Sequence, residues 1–148
     1  MATKPTKKIG LPLLYCLVAG AGDAATGLLL VTAPLLTLAL MGIPATPSEP
    51  IYLRFVGAFV GGVGLSYLFP FCYRDRRRTE NTLAVVLEVT ALIRIGIALF
   101  VGWAIATGRL PTAWVSVLAT DLVLAVVQIV MVMRRVLARD LPEREAGI

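Results

Sequence analysis

The stretch TLAVVLEVTALIRIGIALFVGWAIA, Thr82 to Ala106, decides the fold. Across its 25 residues only Glu88 and Arg94 are charged. A helix rises about 1.5 Å per residue, so about 20 apolar residues cross a hydrocarbon core about 30 Å thick. The stretch reads as a membrane span that carries two charges in need of partners.

Three more stretches of the same kind flank it. Ile51 to Phe71 precedes it across the charged segment Tyr73 to Glu80, which reads as a loop. Leu11 to Ala33 lies further upstream, with Pro12 suited to a first turn and Pro34 marking a kink or end. Ala113 to Met133 follows a short turn, Thr107 to Thr112. Leu35 to Met41 is too short to span and is expected to form a short interfacial helix, before a Pro-rich loop from Gly42 to Pro50. From residue 134 to 148 the chain is a polar, amphipathic tail, in which Pro142 should end any helical extension. The start of the chain imitates a secretory signal peptide, with Lys4, Lys7 and Lys8 before an apolar run. Because apolar character resumes at Gly27 to Val31, it reads as a retained first span. Residues 1–148 are thus expected to form one all-α integral membrane domain, a four-helix up-down bundle.

Composition agrees. Charged residues make up 16% of the chain and hydrophobic ones 58%, with a mean hydropathy of +0.86. A soluble domain carries roughly a quarter charged residues. The net charge of +5 does not point to nucleic acid, because the basic residues cluster at the ends of apolar runs. Lys4, Lys7 and Lys8, the Arg74 to Arg78 cluster, and Arg134, Arg135, Arg139 and Arg144 share one side of a four-span arrangement; only Arg54 and Arg109 fall on the other. The positive-inside rule places the crowded side, with both termini, in the cytoplasm. Tyr52, Trp103 and Trp114 fall near the opposite boundary, where amphipathic rings favour the headgroup zone.

The chain has no histidine, which excludes haem, zinc or chlorophyll held by an imidazole of its own. Its two cysteines, Cys16 and Cys72, cannot build a Cys-rich metal or iron–sulfur site, and a reducing compartment argues against a disulfide. Both read as small buried hydrophobes. No cofactor bound through His or Cys is expected; a lipid or a quinone could be held. No nucleotide loop, catalytic triad or metal-ligand spacing is present, and the glycines of Gly57 to Gly62 lie inside a span.

Every span holds an ionisable residue: Asp23, Arg54, Glu88 with Arg94, and Asp121. Such groups face a bundle interior and seek partners. Counting at about 1.5 Å per residue puts Asp23, Arg94 and Asp121 at one depth, about 18–20 Å above the cytoplasmic edge. The simplest arrangement has the Arg94 guanidinium between the two carboxylates. The stripes Cys16, Gly20, Asp23, Gly27; Thr90, Arg94, Ala98; and Asp121, Ala125, Gln128 allow it. Such a network either fixes packing and register or serves a proton or substrate path, or a polar site for a quinone or lipid headgroup. Glu88 lies about 120° around its span from Arg94 and should face another neighbour; unpaired in lipid it would protonate, which makes it a candidate relay. Arg54, Gly57, Gly61 and Gly64 form a second stripe, suited to close helix packing or to a groove for a lipid tail, a cofactor tail or a partner helix.

Gly27 to Pro34, Arg54-x-x-Gly57-Ala58, Gly64 to Leu68, Glu88 with Arg94, Gly108-x-Leu110-Pro111 and Asp121 together resemble the DoxX-like and related small bacterial four-span families, over Gly27 to Arg135. The resemblance implies a four-helix bundle in a bacterial inner membrane. Some members of that group are linked to quinone-dependent electron transfer, but this sequence offers no redox motif of its own. The leading expectation is a non-catalytic accessory or anchoring subunit of a larger membrane complex, respiratory or otherwise electron-transferring. Its partners would be membrane lipids and other membrane subunits. The alternatives are a small transporter or proton-conducting protein using Asp23, Glu88, Arg94 and Asp121, and a quinone-handling oxidoreductase subunit.

Overall fold

Prolines and glycines set where the helices break. The computed structural model describes residues 11–44 and 50–145. Lys4, Lys7 and Lys8, the middle of the Pro-rich loop and residues 146–148 lie outside that range. Helix α1 (Leu11–Thr32) ends where Pro34 pushes Ala33 out of helical geometry (φ −137°, ψ 63°), and the short α2 (Pro34–Leu40) begins at that proline. Gly42 closes α2 at φ +71°. Its N–H donates to the Ala39 carbonyl at 3.0 Å, and the Ile43 N–H reaches the Leu38 carbonyl at 2.9 Å. These are the two bonds of a Schellman closure, and Leu38 and Ile43 are both buried behind it.

Helix α3 (Pro50–Leu68) has proline at its first position and tightens into a 3₁₀ turn, Phe69–Cys72, at Pro70. Helix α4 (Arg76–Ala106) closes at Gly108 (φ +68°) in the manner of α2, with the Arg109 N–H on the Ala104 carbonyl at 2.8 Å. A 3₁₀ turn, Thr112–Trp114, leads into α5 (Val115–Glu145).

Two boundaries differ from the sequence reading. The segment Tyr73 to Glu80 is not all loop, since α4 starts at Arg76. The Asp75 carbonyl accepts both the Thr79 N–H and the Thr79 hydroxyl at 3.0 Å, and arginine is a good helix former. Helix α5 also continues through Pro142 to Glu145. A proline forfeits one backbone hydrogen bond, and close to a helix end few turns remain for it to disrupt. Cys72 is exposed rather than buried; Cys16 is buried, and both are free thiols.

Four segments are long and apolar enough to cross a membrane: Leu11–Thr32, Pro50–Cys72, Asn81–Ala106 and Thr112–Arg134. They assemble as two close pairs, α1 with α3 and α4 with α5. The first pair is made by glycines. A Cβ on Gly64 would stand 2.8 Å from the Gly20 carbonyl and closer still to the Ala24 backbone; one on Gly27 would strike the Gly61 backbone. The Gly57–Gly61–Gly64 stripe therefore lies against α1, inside the bundle. Cys16, Tyr67, Leu83 and Leu87 form a buried apolar cluster, to which Val132 of α5 adds a partly buried neighbour. The outward faces carry Leu17, Leu28, Phe55, Phe59, Leu92, Leu99, Phe100 and Val126, all exposed.

The glycine contacts predict an asymmetry. Gly64→Ala or Gly27→Ala should cost about 1–3 kcal/mol by overpacking against backbone that cannot yield. Gly22→Ala and Gly96→Ala, whose Cβ would meet nothing within 4 Å, should leave the thermal midpoint in detergent unchanged or raised. Equal midpoints for the two classes would mean that α1 and α3 do not approach this closely.

Candidate functional site

Arg94 is carried on α4, four residues after Thr90, and only 5% of its surface is exposed. A guanidinium stays charged at any physiological pH and cannot be left without acceptors in an apolar interior. Each of the other three long helices supplies one. Nη1 donates to Asp121 Oδ1 of α5 at 2.6 Å, and Nη2 donates to Asp23 Oδ2 of α1. Nε donates to the Tyr67 hydroxyl of α3 at 3.4 Å. The Arg94 carbon between its nitrogens also lies 6.0 Å from the Tyr67 ring centroid, at the limit of cation–π attraction.

A neutral branch continues from this centre. Gln128, fully buried on α5, donates through Nε2 to the Tyr67 hydroxyl and to Thr90 Oγ1, the latter at 3.0 Å. Thr90 passes its own proton to the Val86 carbonyl at 2.6 Å. The Gln128 Oε1 has no hydrogen-bond partner among the described residues. Reversing the amide would leave its nitrogen unpaired instead and set its oxygen against Thr90 Oγ1, whose proton already goes to the Val86 carbonyl. Nearer the Arg-rich end, the Tyr15 hydroxyl donates to the Leu124 carbonyl at 3.4 Å and links α1 to α5.

The structure thus brings together Asp23, Arg94 and Asp121, and does not bring Glu88 to them. Glu88 is exposed on the outer surface of α4, with no ion pair or hydrogen bond among the described residues. Arg54 is exposed near the start of α3, while Gly57 and Gly64 are buried against α1 and Gly61 is half-buried there. Sequence reasoning did not assign Tyr67 to the network and treated Thr90 and Gln128 only as companions on their stripes. One signal was present: Tyr67 follows Gly64 by three residues, on the face that meets α1. No group of three or more metal-ligating side chains occurs among the described residues.

No family model, curated protein or solved structure matches this chain.

Chemically the cluster balances two carboxylates against one guanidinium, so full ionisation leaves one negative charge. Both acids touch the same cation and are only partly covered, the Asp23 side chain being 20% exposed and that of Asp121 13%. Arg94→Leu removes the cation from both and should cost about 3–5 kcal/mol, as loss of one partner of a buried pair does. Adding Asp23→Asn and Asp121→Asn should restore part of that loss, since no uncompensated carboxylate is then left. Thermal unfolding in detergent measures both. Wild-type stability in the single mutant would show that the contacts carry no energy.

Proposed function

We propose that the chain lies in a bacterial inner membrane as a four-span bundle with both termini cytoplasmic, and serves as a non-catalytic accessory or anchoring subunit of a larger membrane complex. One observation carries the subunit reading, the position of Glu88. It stands about 10 Å along α4 from Asn81, within the apolar segment, exposed on the outer face and without an internal partner. A charged side chain facing lipid costs about 2.5–3.5 kcal/mol at mid-membrane on insertion scales. A donor or cation from a neighbouring span would remove that cost. The bilayer reading draws on the exposed Leu, Val, Ile and Phe around all four long helices, and the orientation on the Lys/Arg asymmetry.

The internal charges support the same reading. Arg94 donates to every other long helix at once, which is the arrangement of a clamp. A transporter remains the second reading, favoured by the partial exposure of the Asp23 and Asp121 carboxylates. Under that reading Glu88 would need to exchange protons with a cluster from which it is turned away. The DoxX-like resemblance fits either, and any respiratory or quinone-linked role of the complex belongs to the same proposal.

Three measurements test this. In a background with Cys16 and Cys72 replaced, Thr107→Cys should react with an impermeant thiol reagent outside intact cells, whereas Thr79→Cys should not. The reverse pattern would invert the orientation. Purified in mild detergent, the protein should bring larger membrane subunits with it, and Glu88→Lys should release them while its own thermal midpoint is kept. In liposomes the isolated chain should conduct no protons. Robust flux abolished by Glu88→Gln would replace the subunit with a conductor.

A further inference from the structure

The close pairing of α1 with α3 and of α4 with α5 leaves α3 and α4 apart over part of their length. Between them lies a groove of about 480 Å³, open on its outer side. Ala58, Gly62 and Ser66 line it from α3, and Val85, Val89 and Ile93 from α4. A Cβ on Gly62 would meet nothing within 4 Å, so at this position the wall is bare backbone facing open space. Two hydroxyls border the groove, and both are already used: Ser66 donates to the Val63 carbonyl at 2.7 Å and Thr90 to the Val86 carbonyl at 2.6 Å. What remains to meet an occupant is hydrocarbon.

Length and charge identify that occupant. From Val85 to Ile93, or from Ala58 to Ser66, the groove is about 12 Å long, less than half of a core about 30 Å thick. A partner helix, about 10 Å wide and crossing the whole core, would not be seated by it. A single chain from one leaflet would. The groove lies toward the end where α3 and α4 are joined, and that junction carries Arg74 and Arg78, both exposed, beside Asp75. The Arg78 guanidinium is held over the Tyr73 ring at 4.3 Å, and Tyr73 in turn packs edge-on against Phe69 at 5.4 Å. A stacked arginine keeps its N–H edge available for phosphate oxygens. The junction lies about 10 Å below the groove, an interval that a lipid's glycerol and ester region would occupy.

We propose that this groove and the Arg74/Arg78 junction form one site for an anionic phospholipid of the cytoplasmic leaflet, with an acyl chain between α3 and α4 and the phosphate at the arginines. Basic pockets at the cytoplasmic ends of neighbouring spans recognise such headgroups. The inference rests on the bilayer reading above but not on the subunit reading.

The test places the protein in nanodiscs of equal phosphatidylglycerol and phosphatidylcholine, extracts it in mild detergent and reads bound lipid by native mass spectrometry. Failure to enter nanodiscs would sink the bilayer reading itself; every other outcome bears on the site. Wild type should retain one phosphatidylglycerol. Gly62→Phe, which fills open space, should lose it, while Gly22→Phe, an equal addition on the outer face of α1, should keep it. Arg74→Gln and Arg78→Gln should each lower the preference for the anionic lipid roughly fivefold. Equal retention of phosphatidylcholine by wild type, or the same loss from both phenylalanine variants, would reduce the groove to ordinary annular contact and overturn the proposal. So would preferential uptake of an isoprenoid added in competition.

Discussion

A guanidinium in an apolar interior must find an acceptor for each edge, and that demand organises this bundle. In the bilayer proposed for this chain, apolar attraction does not hold helices together, because the lipid tails are as apolar as the side chains. Close backbone contact and polar cross-links must do it. Here the two tasks are divided. Small residues bring α1 against α3, where Gly20, Gly27, Gly57 and Gly64 let the backbones meet. Arg94 then joins that pair to α4 and α5 through Asp23, Tyr67 and Asp121. Rotating any one helix by a single residue, about 100°, would turn its partner group away. The cluster therefore fixes register as well as association, which is the best-attested use of buried polar groups.

Much of this was legible beforehand, for identifiable reasons. Helix ends at Pro34, Gly42 and Gly108 were marked by residues whose backbone constraints are local, whereas the span read as running to Phe71 leaves α-helical geometry at Leu68, before Pro70. The Asp23–Arg94–Asp121 set could be found by counting depth along stretches read as membrane spans and by the helical stripes that carry these residues. Tyr67 and Gln128 were harder. An aromatic hydroxyl near a span's end reads as an interfacial anchor, and an amide beside apolar residues announces no partner. Their roles depend on the rotation of α3 and α5 about their axes, which only the packed pairs determine. The helical start of α4 at Arg76 was missed because charge was taken as a sign of loop, although arginine disfavours a helix hardly at all.

The glycine stripe on α3 shows how one pattern can hide two surfaces. Gly57, Gly61 and Gly64 face α1, whereas Ala58 and Gly62, one position along, face the open groove toward α4. Spacing alone could not say which stripe is inside. What decides it is the presence on α1 of matching small residues, Gly20, Ala24 and Gly27, against which backbone can lie.

Thr90 is where the polar and apolar halves of the molecule touch. It borders the groove, and its hydroxyl takes the Gln128 amide while giving its own proton to the Val86 carbonyl. With both roles of that oxygen filled, the side chain has only hydrocarbon left to turn outward. The neutral branch at Gln128 and the groove are thus separated by a single side chain that is polar on one side and apolar on the other. A valine there would fill a similar volume but take one of the two acceptors from the Gln128 amide nitrogen, leaving a buried N–H unpaired beside the already unpaired Oε1, at about 1–3 kcal/mol. Apolar burial alone would therefore not select threonine at this position. The need to close a hydrogen-bond network next to a hydrocarbon surface does.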